Sequence, residues 1–528
     1  MPQKYPILSC AEARDFEKTH FAGNPDAAVN AIHTAGTAVG KRILTDFGEI
    51  GALPMQCHVL VLAGKGNNAG DALIAAGAIA AERPDSRITV VLAEGTGALS
   101  TDVSDILDSL KSNTTCTVHD NWSAAIGKDL AHIEFDICID GLLGMGFLPP
   151  LRSPYEEIID WANVAVRARF RAAIDLPSGL GDKAGFPIFQ ADITYATGIA
   201  KQPCFNEIHR ASTGRVRFID LGFFGKGTDF RERYSECILD PAYFRRRGGM
   251  RPADTHKRDY GHLLIVAGSA GMPGAALMAT LGALKAGTGL VTALTPGTLN
   301  LRLAAAAPEA MWQPFPVRPD GVFEADFLRV VAAFAKNASA ILVGPGLFVE
   351  RHNLYLICRL VREIHVPTVL DASALAPDII ASIHGRPESA GPILITPHIG
   401  EFRRISGRTD PKHRIDDPAA AFRDYCGRHH TFGVLKGSVS TISDGTSIEY
   451  SISGGPVLAR GGTGDILAGM VAGILAQNPA QPVEALRDAV TWHGAAADCL
   501  ARAHGHHAVR STQLLDYLES ALRAPGIV

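Results

Sequence analysis

The sequence predicts an α/β chain of two successive domains, each built on a mostly parallel sheet with helices on both faces. Three observations carry this. Short β-rich runs, each ending in Gly, Asp or Pro, alternate with helix-length stretches, as buried parallel strands do. The alternation occurs twice, on either side of a charged segment at 240–259 that carries Pro and Gly but no sustained apolar period. At 528 residues the chain also exceeds one ordinary hydrophobic core.

Taken in order, residues up to about Phe47 read as helical, with an Ala-rich helix over 26–44. Strands follow at 58–63, 87–93, 135–140, 171–176 and 215–221. The basic cluster Arg245 to Arg247 falls in the boundary segment and reads as a solvated surface. The second series of strands lies at 262–267, 290–294, 340–343, 368–370, 393–395 and 433–435, with a closely packed Ala-rich helix over 275–285. Ligands of such sheets bind beyond the carboxyl ends of the strands. The unusual residues cluster there.

Composition excludes several classes. The chain is 47% hydrophobic and 20% charged with a net charge of −4, which gives no electrostatic reason for a nucleic acid or an anionic membrane as main partner. Nine cysteines without a C-x-x-C pair point to reduced thiols, not a disulfide framework or a zinc site. The amino terminus lacks the apolar core of a signal peptide, and no apolar run reaches membrane-spanning length. A cytoplasmic protein is expected.

The stretch 459–475, A-R-G-G-T-G-D-I-L-A-G-M-V-A-G-I-L, carries the clearest chemistry. Gly461, Gly462 and Gly464 allow the backbone to approach a ligand. The apolar run after Asp465 predicts a buried helix whose free N–H groups and positive dipole end meet at Gly464 and Asp465. A carboxylate there would repel a merely bound phosphate. It fits if Asp465 takes a proton from a substrate hydroxyl while the glycine N–H groups stabilise the transferring phosphoryl group. The plainer alternative is that Asp465 only caps the helix.

In the first half, three strand-end loops are polar: Gly64 to Asp71 (G-K-G-N-N-A-G-D), Asp140 to Phe147 (D-G-L-L-G-M-G-F) and Asp175 to Gly179 (D-L-P-S-G). Glycines and paired asparagines offer donors and amide oxygens suited to phosphate and a monovalent cation. An Asn/Gly turn with Asp71 as a cap is the alternative for the first loop alone. Three such loops on one sheet edge favour a site.

These residues resemble the epimerase domain of the bifunctional NAD(P)H-hydrate repair enzymes, whose motifs are G-N-N-G-G-D-G, D-A-L-x-G-T-G and D-x-P-S-G. Thr213 to Val216, Ile219 to Gly222, and Lys201 followed by Pro203 support the match. Ala69 and Ala72 replace family glycines, and Ala31 to Gly36 lacks the acid of the usual L-M-E-x-A-G helix. The second half resembles the ribokinase-like dehydratase domain of the same enzymes. The resemblance runs through Tyr260 to Leu264, Gly268 to Ala276, Val343 to Leu347, Thr396 to Phe402 (T-P-H-I-G-E-F), Val434 to Gly437 and Gly461 to Asp465. Ser373 stands where that family has an acid, and Ile399 where it has proline.

The resemblance implies a Rossmann-like three-layer epimerase domain over 1–230 and a ribokinase-like three-layer, ADP-dependent dehydratase domain over 238–528. In the first, Asn67, Asn68, Ala69, Gly70, Asp71, Gly144, Met145, Gly146, Phe147, Leu148, Pro149, Pro150 and Asp175 would hold the hydrated nucleotide. Asp175 would be its acid/base group, and Asn68, Asp140 and Ser178 would bind potassium. In the second, Ala276, Gly346, His398 and Asp465 would contact substrate, with Asp465 as catalytic base. Lys436, Gly437, Ser438, Val439, Ser440 and Gly464 would bind the phosphate donor, ADP with ATP as the alternative, beside magnesium. The substrates implied are NADHX and NADPHX, and a homo-oligomer is expected. The alternatives are a ribokinase-like small-molecule kinase and a non-catalytic N-terminal binding module. His429, His430, His504, His506 and His507 lack a matching ligand set and read as solvated or capping residues.

Overall fold

The computed structural model describes residues 4–225, 234–408 and 415–523. The chain forms two compact units, Tyr5–Phe230 and Arg231–Val528 with Met1–Lys4. The predicted domain limit at 230 lies outside the described residues.

In the first unit the strands run, across the sheet, Thr115–His119, Arg87–Leu92, His58–Ala63, Glu134–Gly141, Arg167–Ile174, Ile193–Thr197 and Arg215–Ile219. Every neighbouring pair is parallel. Strand polarity alternates side chains between faces, so Val59, Val61 and Ala63 join one core while Leu60 and Leu62 join the other. The first core is closed by the helices Pro25–Phe47, Asn67–Glu82 and Thr101–Asn113, the second by Tyr155–Val164. Strand order reverses between His58–Ala63 and Glu134–Gly141, so the loops after these two strands open a crevice at a topological switch point. Glycines permit the close fit there. A Cβ on Gly64 would overlap the Leu142 carbonyl oxygen, and one on Gly141 would press on the Asn68 carbonyl oxygen at 2.9 Å.

In the second unit the order is Met311–Phe315, Leu290–Pro296, His262–Val266, Ala340–Val343, Thr368–Leu370, Ile393–Ile395, Thr431–Leu435, Ser440–Ser443, Ile448–Ser451 and Glu236–Leu239. Pairing is parallel except on both sides of Ser440–Ser443, where it is antiparallel. Leu263 and Ile265 face a core shared with the helices Pro273–Lys285, Thr463–Gln477 and Pro482–His504. Leu264 and Val266 face a second core with Phe327–Ala335 and Arg351–Glu363. Thr463–Gln477 lies against Pro273–Lys285 at near-backbone distance: a Cβ on Gly469 would overlap the Ala279 carbonyl oxygen.

Several strand limits differ from the sequence expectation. The strand expected at 171–176 is Arg167–Ile174, because Asp175 turns out of the sheet with φ +64°. The run expected at 215–221 ends at Ile219, and Leu290–Pro296 extends past 294.

Candidate active sites

In the first unit three loop segments meet at the switch point. Asp140, fully buried at the end of its strand, accepts from the Ser178 hydroxyl at 2.6 Å, from Ser178 N–H at 2.7 Å and from Leu142 N–H at 3.2 Å. Burial nevertheless pushes its pKa up to about 6, against the opposing pull of those hydrogen bonds. The Asn68 amide donates to the Leu143 carbonyl at 3.0 Å, and Leu143 N–H donates to the Ser178 hydroxyl at 2.9 Å. Asn68, Asp140 and Ser178, expected from the sequence as a cation site, therefore stand in one hydrogen-bonded group around Leu143. Gly144 lies beside the Asn68 side chain, and Phe147 packs on Gly185. Leu148 stands out, 73% exposed.

Asp175 faces a partner the sequence did not assign. The Lys201 ammonium ion-pairs with Asp175 Oδ1, also donates to the Thr197 carbonyl at 3.1 Å, and is 1% exposed. Thr197 N–H and hydroxyl approach the same carboxylate oxygen at 3.4 and 3.3 Å. Lys201 is carried in by pairing of Leu8 with Lys201 at the register Ile7–Ala200. Burial alone would discharge it, but Asp175 and Glu17 raise its pKa above the usual lysine value. Glu17 comes from the helix Cys10–His20, whose first N–H groups, Cys10 and Ala11, donate to the Asp182 carboxylate at 2.7 and 3.0 Å. Asp71 completes the group and is 8% exposed.

In the second unit the glycine turn enters the helix Thr463–Gln477 with Gly462 as the N-cap at φ +96°. Gly464 and Asp465 are thus the second and third helical residues, and their N–H groups point out of the helix end. Asp465 is not a cap: the helix has no side-chain cap bond, and no described residue hydrogen-bonds the Asp465 carboxylate. Burial, then the nearby Asp371 and Glu401, push its pKa up to about 6, while Lys436 pulls it down. Lys436 donates to Asp371 Oδ1 at 3.0 Å and stands 4.0 Å from Glu401. A Cβ on Gly464 would lie 3.4 Å from the Lys436 ammonium, so that charge sits against the helix end. Burial would lower the Lys436 pKa; Asp371 and Glu401 outweigh it and raise it. Asp371 is fixed further by the Thr396 hydroxyl at 2.7 Å.

His398 begins the helix Ile399–Ile405. Its Nδ1 accepts from Gly400 N–H at 3.0 Å, and its own N–H donates to Glu401 at 2.9 Å, leaving the ring exposed. Lys436 N–H donates to the Pro397 carbonyl at 2.8 Å, which ties the two loops together. Gly437, Ser438 and Val439 lead away from Lys436 towards the strand Ser440–Ser443, with Gly437 and Ser438 exposed. Gly346, at φ +67°, borders Met272. Ala276 is fully buried against Gly268 and presents no side-chain surface. Sequence reasoning gave no role to Asp371 or Glu401; the available signals were the place of Asp371 just past its strand and of Glu401 in the first turn of Ile399–Ile405.

The arrangement defines a two-site α/β protein, each site joining a lysine and several carboxylates at the carboxyl edge of a sheet. Comparison with known proteins makes this particular. The NAD(P)H-hydrate dehydratase family model matches residues 263–520, and that of the YjeF-related protein N-terminus matches residues 30–203. The bifunctional NAD(P)H-hydrate repair enzyme Nnr of Moorella thermoacetica is 31% identical over 530 residues, covering 98% of this chain and 96% of its own. That of Gloeobacter violaceus is 32% identical over 523 residues, covering 94% of each. The ADP/ATP-dependent NAD(P)H-hydrate dehydratase of Bacillus subtilis aligns structurally over 53% of this chain and 96% of its own, at 30% identity and a TM-score of 0.44. The chain belongs to the family of bifunctional NAD(P)H-hydrate repair enzymes. Among the described residues, no helix is long and apolar enough to cross a membrane.

Proposed function

We propose that the first unit interconverts the R and S forms of hydrated NADH and NADPH, and that the second dehydrates the S form with ADP, giving AMP and phosphate. The observation that carries the second activity is Asp465, a carboxylate without a hydrogen-bond partner among the described residues, at a helix end beside Lys436. Its pKa of about 6 suits a base working near neutrality. Asp465 takes the proton of the 6-hydroxyl, whose oxygen attacks the β-phosphorus of ADP as the bond to AMP breaks. Lys436 and the N–H groups of Gly464 and Asp465 receive the phosphoryl charge. The ring nitrogen then expels phosphate from C6, and loss of a C5 proton restores the dihydronicotinamide. Lys436 to Ser440 would line the donor nucleotide, with Gly346 and His398 on the substrate side.

Magnesium fits as an ion held mainly by the nucleotide's phosphates and water. One or two protein carboxylates suffice for that, and Asp371, just past its strand, and Glu401, in the first turn of Ile399–Ile405, both face Lys436, whereas the described residues build no cluster of three or more His, Cys, Asp or Glu ligands. It would neutralise phosphate charge during transfer. In the first unit Asn68, Asp140, Ser178 and the Leu143 carbonyl would hold potassium, which supplies a counter-charge to a buried carboxylate that lacks an ion-pair partner among the described residues. Asp175 with Lys201 would exchange protons with substrate, bordered by Asn67 to Asp71 and Gly144 to Pro150. We place the enzyme in the cytoplasm, where its nine free cysteines stay reduced, and expect a homo-oligomer.

The test is recovery of reduced-nicotinamide absorbance from mixed R and S NADHX with magnesium and potassium, ADP and ATP being supplied separately. Complete recovery with ADP, faster than spontaneous epimerisation, is expected. Recovery of the S fraction alone would remove the epimerase, and retention of phosphate on the product would replace the dehydratase with a kinase.

A further inference from the structure

In the proposed epimerisation the Asp175–Lys201 pair would serve one side of the reacting carbon. Moving a hydroxyl from one face of a ring carbon to the other by loss and return of water needs two groups. An acid must protonate the departing oxygen, and a base must deprotonate the water arriving opposite. Two carboxyls whose surroundings drive them to different protonation states are the usual solution.

Asp71 is placed for the first part. It opens the second turn of Asn67–Glu82, at the switch-point crevice, and is 8% exposed. Its Oδ1 is sealed from solvent with no hydrogen-bond partner among the described residues, a costly condition for an ionised carboxylate. The charged groups facing it come from three other segments: Asp175 after its strand, Glu17 from the helix Cys10–His20, and Lys201. Burial first, then Asp175 and Glu17, raise its pKa well above the ordinary carboxylate value, and Lys201 offsets only part of this. Asp175, in contrast, has the Lys201 ammonium as a direct partner.

We infer that Asp71 is the acid of the epimerisation, protonating the departing 6-hydroxyl while Asp175 receives the proton of the incoming water. This rests on the assignment of the first unit as the epimerase. The ring nitrogen lone pair forms an N1=C6 bond as the C6–O bond breaks, and the Asp71 proton leaves with the oxygen as water. Water then adds to the opposite face of C6, gives one proton to Asp175, and returns the π pair to N1. No net oxidation occurs. The enzyme is left with Asp71 ionised and Asp175 protonated, which is the form that runs the reverse epimerisation. Glu17, half-buried, has its pKa raised to about 7 chiefly by burial and further by the Asp175 charge, against the pull of Lys201.

The experiment uses the full chain, purified R-NADHX, potassium and no ADP, with the two epimers separated chromatographically. Asp71→Asn is expected to lower kcat by about 10²–10³ with KM changed by less than about threefold. It should also erase the fall in rate that the wild type shows as pH rises through the ionisation of Asp71. Asp71→Glu should recover at least about tenfold over Asn, whereas a purely structural Asp71 would tolerate the longer side chain no better. Dehydration of S-NADHX with ADP stays unchanged in both variants. An Asn variant within about threefold of wild type, or one that keeps the alkaline limb, overturns the inference. If Asp175→Asn also leaves epimerisation intact, the epimerase assignment itself has failed; if Asp175→Asn abolishes it and Asp71→Asn does not, only the role of Asp71 has.

Discussion

If Asp465 is the base of the dehydration, the acid side of the pH profile belongs to it and can be moved by its neighbours. With a pKa of about 6, roughly nine tenths of Asp465 is ionised at pH 7 and about one tenth at pH 5. The value of kcat/KM for S-NADHX at saturating ADP should therefore fall about tenfold between those pH values. Asp465→Asn should lower the rate by about 10²–10⁴, or ~3–5 kcal/mol of barrier, and leave no limb in that range. The sharper perturbation is Asp371→Asn. Asp371 raises the Asp465 pKa by its charge, and it also holds Lys436 in a 3.0 Å ion pair. Removing it deletes one repulsion and frees the ammonium to act on Asp465. Both effects favour the carboxylate, so the acid limb must move to lower pH. Stopped assays that follow reduced-nicotinamide absorbance across pH 4.5–8 would read this. A limb that stays or rises in Asp371→Asn, or persists in Asp465→Asn, would refute Asp465 as the titrating base.

Three further outcomes follow from the geometry. Asp140→Asn should remove the potassium dependence of epimerisation while ADP-dependent dehydration is untouched, as read by rate against potassium concentration at fixed ionic strength. Gly469→Ala drives a methyl into the Ala279 carbonyl oxygen and should cost about 1–3 kcal/mol, seen as a lower denaturation midpoint of the second unit. His493 is buried, with Nε2 3.1 Å from the Thr463 carbonyl and a pKa lowered to about 4 by burial. The folded state keeps it neutral while the unfolded chain protonates near pH 6.5, so up to about 3 kcal/mol of stability is lost as pH falls from 6.5 to 4. His493→Gln should flatten that part of a stability–pH curve.

The strands at 58–63, 340–343, 368–370 and 393–395 are legible in the sequence end for end, because each is a continuous apolar run buried on both faces. Three of the strands not read from sequence lack that signal. Thr115–His119 and Met311–Phe315 are part-exposed edge strands rich in polar residues or proline, and Ser440–Ser443 is polar because it turns back beside Lys436. Glycine and aspartate at strand ends carry the rest of the site, since only backbone approach or charge explains them there. Lys201 was not legible as the partner of Asp175. It is 26 residues away, and the contact depends on Asp175 leaving its strand with φ +64°, a conformation that a non-glycine residue does not announce. Glu17 was hidden for a similar reason: its helix is held by Asp182, 172 residues from Cys10 along the chain.

The two sites meet the same electrostatic problem. In the first unit Lys201 is set among Asp71, Asp175 and Glu17; in the second Lys436 is set among Asp371, Glu401 and Asp465. One ammonium cannot balance three nearby carboxylates, so each site must bind protons or cations. In the proposed dehydration the nucleotide would bring magnesium with it, and Asp465 could then remain ionised as a base. In the proposed epimerisation potassium would serve Asp140, and the surplus around Lys201 would be met by a proton on Asp71, whose buried Oδ1 has no hydrogen-bond partner among the described residues. On the proposed roles, the same imbalance that would destabilise a structural cluster leaves a base at one site and an acid at the other.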